Sequence, residues 1–168
     1  MGIVNVTGVT DEAKNLANLM QDVLNRVITV YDSYNMPLPS RRYWNIATPV
    51  VDCEQLVVSL IQMYVGLPGD EATEPRRCTD PRSATLNISV SRAVPVVQQN
   101  GQPPHPDNIQ NASIVCAYDS WILMESINQF DSWAVNGPYG LGVIATVDAS
   151  PPEGGYQTTR MVITMAVP

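Results

Sequence analysis

The side chains that could carry catalysis are few in this 168-residue chain. His105 is the only histidine and stands between two prolines, and the three cysteines, Cys53, Cys78 and Cys116, are far apart and form no CxxC pair. A serine or cysteine hydrolase needs an imidazole base, and a zinc site needs three or four closely spaced His or Cys ligands. The sequence therefore predicts no catalytic residue, no metal and no cofactor, and it indicates reduced, mostly packed thiols.

Carboxylates and glycines form no recognisable catalytic motif either. The chain has neither a P-loop nor a dinucleotide-binding fingerprint, and the glycine-rich residues 137–142 precede a predicted strand, which indicates a turn. Asp119 and Glu125 are six residues apart on a predicted helix and do not share a face well. Helix capping and solvation account for the carboxylates in general. A small hydrolase stays open as an alternative, and it requires His105 to lie in a pocket beside a carboxylate or a serine.

The arginines indicate a function more clearly than the histidine, cysteines and carboxylates do. The net charge of −7 argues against a protein that grips nucleic acid through its phosphates. Five of the eight arginines cluster on two predicted loops, and arginine and aromatic residues are enriched at the hot spots of protein interfaces. An alternative is that these charges only keep the loops soluble. We predict a subunit or partner interface formed by Arg41, Arg42, Trp44, Arg76, Arg77 and Arg82.

The elements that position these residues start after residues 1–9, which form an N-terminal arm or an edge strand. Thr10 caps an amphipathic helix that ends near residues 35–37, and residues 36–51 form a proline-rich connector. Residues 55–65 fit a buried strand or a helix. A strand is favoured because residues 66–70 end it and residues 86–92 alternate strictly. That alternation predicts one core face and one polar face, which would line a lumen or contact a partner. The loop at residues 67–82 is long.

The second half of the chain repeats this order. Asp107 and Gln110 form a capping-box-like pair that opens a helix running to about Phe130. Two strands follow, near residues 140–148 and 157–167. The helix has a second apolar side and is therefore predicted to lie between two surfaces; this side comprises Ile114, Tyr118, Trp121 and Ile122. The sequence predicts one α+β domain over residues 1–168, with the order αββαββ. Two β-hairpins are predicted to form a mainly antiparallel sheet, and two long helices pack on it.

Several short segments follow one another in a specific order between residues 52 and 167. They are DCEQLVV at 52–58, GLPG at 66–69, PRRC at 75–78, the strand at 85–90 with VPV at 94–96, and PPEGG at 151–155 before the strand at 160–167. In order and spacing, this set resembles the tail terminator (tail-completion) proteins of long-tailed, siphovirus-type phages, especially those infecting actinobacteria.

The resemblance implies a tail-terminator-like fold and a homo-oligomer, expected to be a hexameric ring without catalytic residues. The ring would cap the major tail protein, end tail polymerisation and join the tail to a head-tail connector or stopper protein. The tape measure protein is a further expected partner. The protein would be assembled in the host cytoplasm and reside in the neck of the virion, with no contact to a membrane.

DNA would pass through the ring without specific binding, and the acidic balance suits such a channel because like charges avoid tight phosphate contacts. Two alternatives within virion proteins stay open. A head-tail stopper or adaptor would bind the portal side of the neck. An adhesive or baseplate module would have β-rich repeats, which this chain lacks.

Overall fold

A computed structural model describes the backbone of residues 11–69, 81–136 and 144–167. The protein is α+β, with two helices and a five-stranded mixed sheet, which confirms the general class predicted from the sequence. In chain order the elements are α1 (Asp11–Ser33), β1 (Arg41–Asn45), β2 (Gln55–Val65), β3 (Arg82–Ala93), α2 (Pro106–Asn136), β4 (Ile144–Ala149) and β5 (Tyr156–Val167). Residues 1–10 with the predicted helix cap Thr10, residues 70–80 with Arg76, Arg77 and Cys78, and the turn predicted at 137–142 lie outside the described residues.

Strand β1 corrects the predicted order of elements. The sequence predicts a connector at residues 36–51, whereas residues 41–45 form a strand that pairs in parallel with β2. The arrangement αββαββ is therefore wrong in this segment, and the chain runs as one helix, three strands, one helix and two strands. The strand is short and begins with two arginines, so its sequence signal is weak. It is ordered by its pairing with β2 and by Trp44, whose Nε1–H donates to Oε1 of Gln21 on α1 at 3.1 Å.

The sheet has the strand order β1-β2-β3-β5-β4. All pairings except that of β1 with β2 are antiparallel. The central strands β3 and β5 pair along their full length, from Arg82 opposite Val167 to Ala93 opposite Tyr156. The strand predicted at residues 55–65 is confirmed as β2, which has a register shift between Leu60 and Gln62.

The hydrophobic core lies between one face of this sheet and the two helices. Helix α1 buries the apolar stripe that its sequence predicts, including Met20, Val23, Val27 and Val30. The strands contribute alternate residues, because successive side chains of a strand point to opposite faces. The core-facing strand residues are Leu56, Val58, Ala84, Leu86, Ile88, Val90, Met161, Ile163 and Met165, and all of them are fully buried. Burying one large aliphatic side chain of this kind contributes about 1.5–3 kcal/mol.

The opposite face of the sheet carries short hydroxyl side chains, as the alternation in residues 86–92 predicts. Thr85 and Thr164 share a hydrogen bond of 3.1 Å across β3 and β5, and Ser91 and Thr158 share one of 2.9 Å. At one end of this face lies the crossover from β1 to β2, residues 46–54. It is held there because the side-chain amide of Gln55 donates to the Val50 carbonyl at 2.9 Å.

Candidate interaction surface

Helix α2 carries the candidate site, and its first turn is capped by His105. The helix begins at Pro106, a favoured residue at the first helical position. Nδ1 of His105 accepts the backbone N–H of Asp107 at 3.3 Å, and the His105 carbonyl accepts the N–H of Asn108 at 3.0 Å. His105 therefore takes the capping position that the sequence analysis gives to Asp107 and Gln110. Its side chain is 68% exposed, with the Asp107 carboxylate 3.3 Å away, and no serine or cysteine is among its hydrogen-bond partners in the described part of the chain.

A buried ion pair joins α2 to the rest of the fold. Asp119 is fully buried, and the guanidinium of Arg92 on β3 binds it through two hydrogen bonds, Nε to Oδ2 and Nη2 to Oδ1, both 2.9 Å. The hydroxyl of Tyr31 on α1 donates to Oδ1 of Asp119 at 2.7 Å. Nη2 of Arg92 also donates to the Pro37 carbonyl at 2.8 Å. Four segments of the chain therefore meet at one ion pair, three of them at the Asp119 carboxylate.

The electrostatics of this cluster keep Arg92 charged and Tyr31 protonated. Burial raises the pKa of the Tyr31 hydroxyl well above its ordinary value, and the negative charge of Asp119 raises it further. Burial alone would lower the pKa of Arg92, but its hydrogen bonds to Asp119 and the attraction between the two charges outweigh that effect and raise it. Burial, followed by the charge of Asp119, raises the pKa of the Cys116 thiol. The cluster is thus a fixed structural unit at neutral pH.

This ion pair was not predicted from the sequence, and the prediction that capping and solvation account for the carboxylates is wrong for Asp119. Two signals in the sequence point to it. Arg92 continues the alternation of Leu86, Ile88 and Val90 and therefore lies on the core-facing side of β3. Asp119 is three residues after Cys116 and four before Leu123, a spacing that puts it on the buried side of α2. A basic and an acidic residue at core-facing positions indicate a buried pair.

The side of α2 that points away from the core is apolar. We call it the outer stripe and define it by Ile114 (42% exposed), Tyr118 (52%), Trp121 (51%) and Met124 (52%). The sequence predicts a second apolar side here, and three of its four residues are confirmed as outward-facing. Ile122 is the exception, since it is 1% exposed and belongs to the core. The second surface that the sequence predicts against this side is not supplied by the described part of the chain.

Next to the outer stripe lies an apolar groove of about 410 Å³, which Tyr34, Met36, Tyr118, Trp121 and Ile122 line. The rings of Tyr34 and Trp121 meet edge to face, with centroids 4.7 Å apart and planes at 78°. Both walls are fixed by the buried ion pair, because Asp119 follows Tyr118 on α2 and Pro37 follows Met36 after α1. The groove is therefore preformed.

The structure describes four of the six residues of the interface predicted from the sequence. Arg41, Arg42 and Trp44 lie on β1, an edge strand of the sheet. Arg41 binds Asp52 at 2.8 Å and lies over the Tyr43 ring at 5.2 Å, whereas Trp44 is half-buried against the core.

Arg82 begins β3 at the far end of the sheet. On β2, the partner of Arg82 is Val65 and the partner of Arg41 is Gln55. These two partners are ten residues apart, which corresponds to about 33 Å of strand. Arg82 is therefore far from Arg41 within a subunit, and Arg76 and Arg77 lie outside the described residues.

No cluster of three or more His, Cys, Asp or Glu side chains able to hold a metal ion occurs among the described residues. Neither helix in the described ranges is long and apolar enough to cross a membrane. Comparison of the sequence with models of known protein families gave no match, and comparison with curated proteins gave no significant relative.

Proposed function

We propose that this protein is a phage tail terminator, a structural subunit that forms a ring at the end of the tail tube. The observation that carries the proposal is the outer stripe of α2. It presents four large apolar side chains to water on the side opposite the core, and contiguous exposed apolar patches mark sites of protein–protein contact.

The composition of α2 supports contact with a protein partner. The helix has no lysine or arginine in its 31 residues, and the cores of protein interfaces are depleted of charge and enriched in aromatic residues and methionine. Tyr118 and Trp121 supply large, rigid contact areas. The groove beside them could accept one apolar side chain from a neighbour without rearrangement, since its walls are fixed by the buried ion pair.

In the proposed role, six subunits close a ring on the major tail protein, end tail polymerisation and receive the head-tail connector or stopper protein. The order of segments between residues 52 and 167 that resembles tail terminators supports this choice of ring. The net charge of −7 suits a wall past which DNA moves without binding. A bore lined by arginine would contradict this part of the proposal.

The first experiment is solution mass as a function of concentration, measured by light scattering with and without purified major tail protein from the same phage. We expect a species of six times the 18.4 kDa chain mass. Trp121→Asp should weaken its formation by about a hundredfold in concentration, as expected for an interface hot spot. Val97→Asp is the matched control, because Val97 is also exposed (61%) but lies outside the helices and strands; it should assemble normally.

The same preparations distinguish a terminator from a stopper or adaptor. A terminator ring should bind major tail protein assembled as tubes and cap their ends, whereas a stopper or adaptor should bind the portal assembly. A chain that remains monomeric at every concentration, even beside tail tubes, would overturn the proposed function.

A further inference from the structure

A ring other than a two-fold dimer needs two different contact surfaces on each subunit, since each copy meets its two neighbours with different sides. The outer stripe supplies one surface. We propose that the second is the outer edge of strand β1, so that the outer stripe of one copy docks on the β1 edge of the next copy. This inference rests on the proposed ring and identifies which surfaces close it.

The two surfaces are on separate parts of the subunit. Strand β1 forms one edge of the sheet and β4 forms the other. Helix α2 packs on β5 and β4, while α1 packs on β2 and β1. Five strands at the usual spacing separate the two edges by about 19 Å. One subunit can therefore present the outer stripe and the β1 edge to two neighbours at the same time.

The β1 edge is suited to binding a partner. Among the strands of the described residues, none pairs with its outer side, and unpaired strand edges attract further contacts unless they are protected. Arg42 is exposed on this strand, and Ile46, 54% exposed, follows directly after it. An apolar residue and an arginine thus lie together at the edge.

The charges of the two surfaces are complementary. Glu125 follows Trp121 by four residues and so lies at the margin of the outer stripe. Arg42 is on the β1 edge, and neither Arg42 nor Glu125 has an ion-pair partner among the residues that the structure describes. Docking the stripe on the β1 edge brings these opposite charges to one interface. If the outer stripes of two copies docked on each other, their two α2 helices would meet instead. Each of these helices has acidic residues and no lysine or arginine.

Complementation between two assembly-defective variants tests this pairing. The stripe variant is Trp121→Asp, and the edge variant combines Arg42→Glu with Ile46→Asp; all three positions are exposed. Far-UV circular dichroism and thermal unfolding first establish that both variants fold. We expect each variant alone to be monomeric in sedimentation velocity. An equimolar mixture should form a heterodimer and nothing larger, because the stripe variant keeps its β1 edge and the edge variant keeps its stripe. Val97→Asp should form complete rings.

A charge-reversal pair provides a second measurement that does not depend on the strength of a single interface. Arg42→Glu and Glu125→Arg should each raise the concentration needed for ring formation about tenfold, and the double variant should recover most of that loss. An edge variant that assembles like the wild type would overturn the inference and leave the ring proposal intact. Variants that neither complement in the mixture nor recover in the charge-reversal pair would do the same. Wild-type chains that never assemble would overturn both.

Discussion

At the scale of single residues, the buried carboxylate of Asp119 links α1, β3 and α2 through three hydrogen bonds. Neutralising it leaves the Arg92 guanidinium as a buried, poorly paired charge, and breaking a buried ion pair in this way costs about 3–5 kcal/mol. We therefore expect Asp119→Asn to lower the free energy of unfolding by that amount, measured by urea denaturation.

Asp107→Asn is the matched control for this measurement. Asp107 is on the same helix with its side chain 78% exposed, and substitutions at such positions usually stay within about 0.5 kcal/mol. Equal effects of the two substitutions would mean that the Arg92–Asp119 pair does not hold the helices in place.

Tyr31 makes the stability of the protein sensitive to alkaline pH. Its pKa is raised in the folded state, so above its unfolded value of about 10 the unfolded chain loses a proton that the folded chain keeps. The stabilisation by this group is complete below pH 10 and is lost as the pH rises further, by up to about 1.4 kcal/mol per pH unit.

Tyr31→Phe removes both the hydrogen bond to Asp119 and this titration. The variant should be less stable than the wild type at pH 8, by about 1–3 kcal/mol. Its stability should also fall less steeply between pH 10 and 11, so that the two denaturation midpoints converge. Parallel pH profiles for the two proteins would contradict the expected role of Tyr31.

Residue-scale features were the hardest to predict from the sequence. The sequence indicated correctly that His105 lies outside any packed pocket, because two flanking prolines leave it in a connector. It did not show that Arg92 and Asp119 meet, because 27 residues separate them and only the packing of α2 on the sheet brings them together. The spacing of each residue indicates a core-facing position, but it does not identify the partner.

At the scale of elements, strand β1 depends on Trp44. The indole packs against the core and donates a hydrogen bond to Gln21 on α1, which joins the edge strand to the helix layer. We expect Trp44→Ala to lower the free energy of unfolding by about 2–3 kcal/mol, somewhat less than for a fully buried tryptophan.

Arg42→Ala is the control for the Trp44 substitution, since Arg42 is a neighbouring exposed residue on the same strand. It should change the stability of the isolated subunit by less than about 0.5 kcal/mol. Denaturant midpoints of both variants, measured at a concentration at which light scattering detects only the monomer, check the comparison. A stable Trp44→Ala variant would mean that pairing with β2 alone holds β1.

The sequence predicted the long elements well because their periodicity is strong. In β5, Met161, Ile163 and Met165 alternate with less buried residues, and α1 carries its apolar residues at helical spacing. Strand β1 escaped prediction because five residues are too few to show alternation. The two apolar sides of α2 were predictable, but the burial of Ile122 was not, because it depends on where α1 ends and the groove begins.

At the scale of the whole molecule, the fold puts all of its described helical mass on one face of the sheet and leaves hydroxyl side chains on the other. Helix α2, which carries the outer stripe, packs mainly on β5 and β4, whereas β1 is the edge strand at the other end of the sheet. Two different surfaces of this kind are what head-to-tail contact between identical copies requires. The class of fold followed from the order of helical and strand patterns. The relative position of the two surfaces did not, because the sheet order β1-β2-β3-β5-β4 depends on long-range pairing.

The central pairing of β3 with β5 has a consequence for the order of events during translation. Helix α2 lies between these strands in the chain, so it leaves the ribosome while its inner side, with Cys116 and Leu123, still lacks β5 to cover it. At that stage both sides of α2 expose apolar residues, and such a nascent chain is prone to aggregate. Once residues 156–167 have emerged and docked, the inner side of α2 is covered and its outer stripe stays exposed. In the proposed ring, this exposed side of α2 is the one that remains available for contact with another copy.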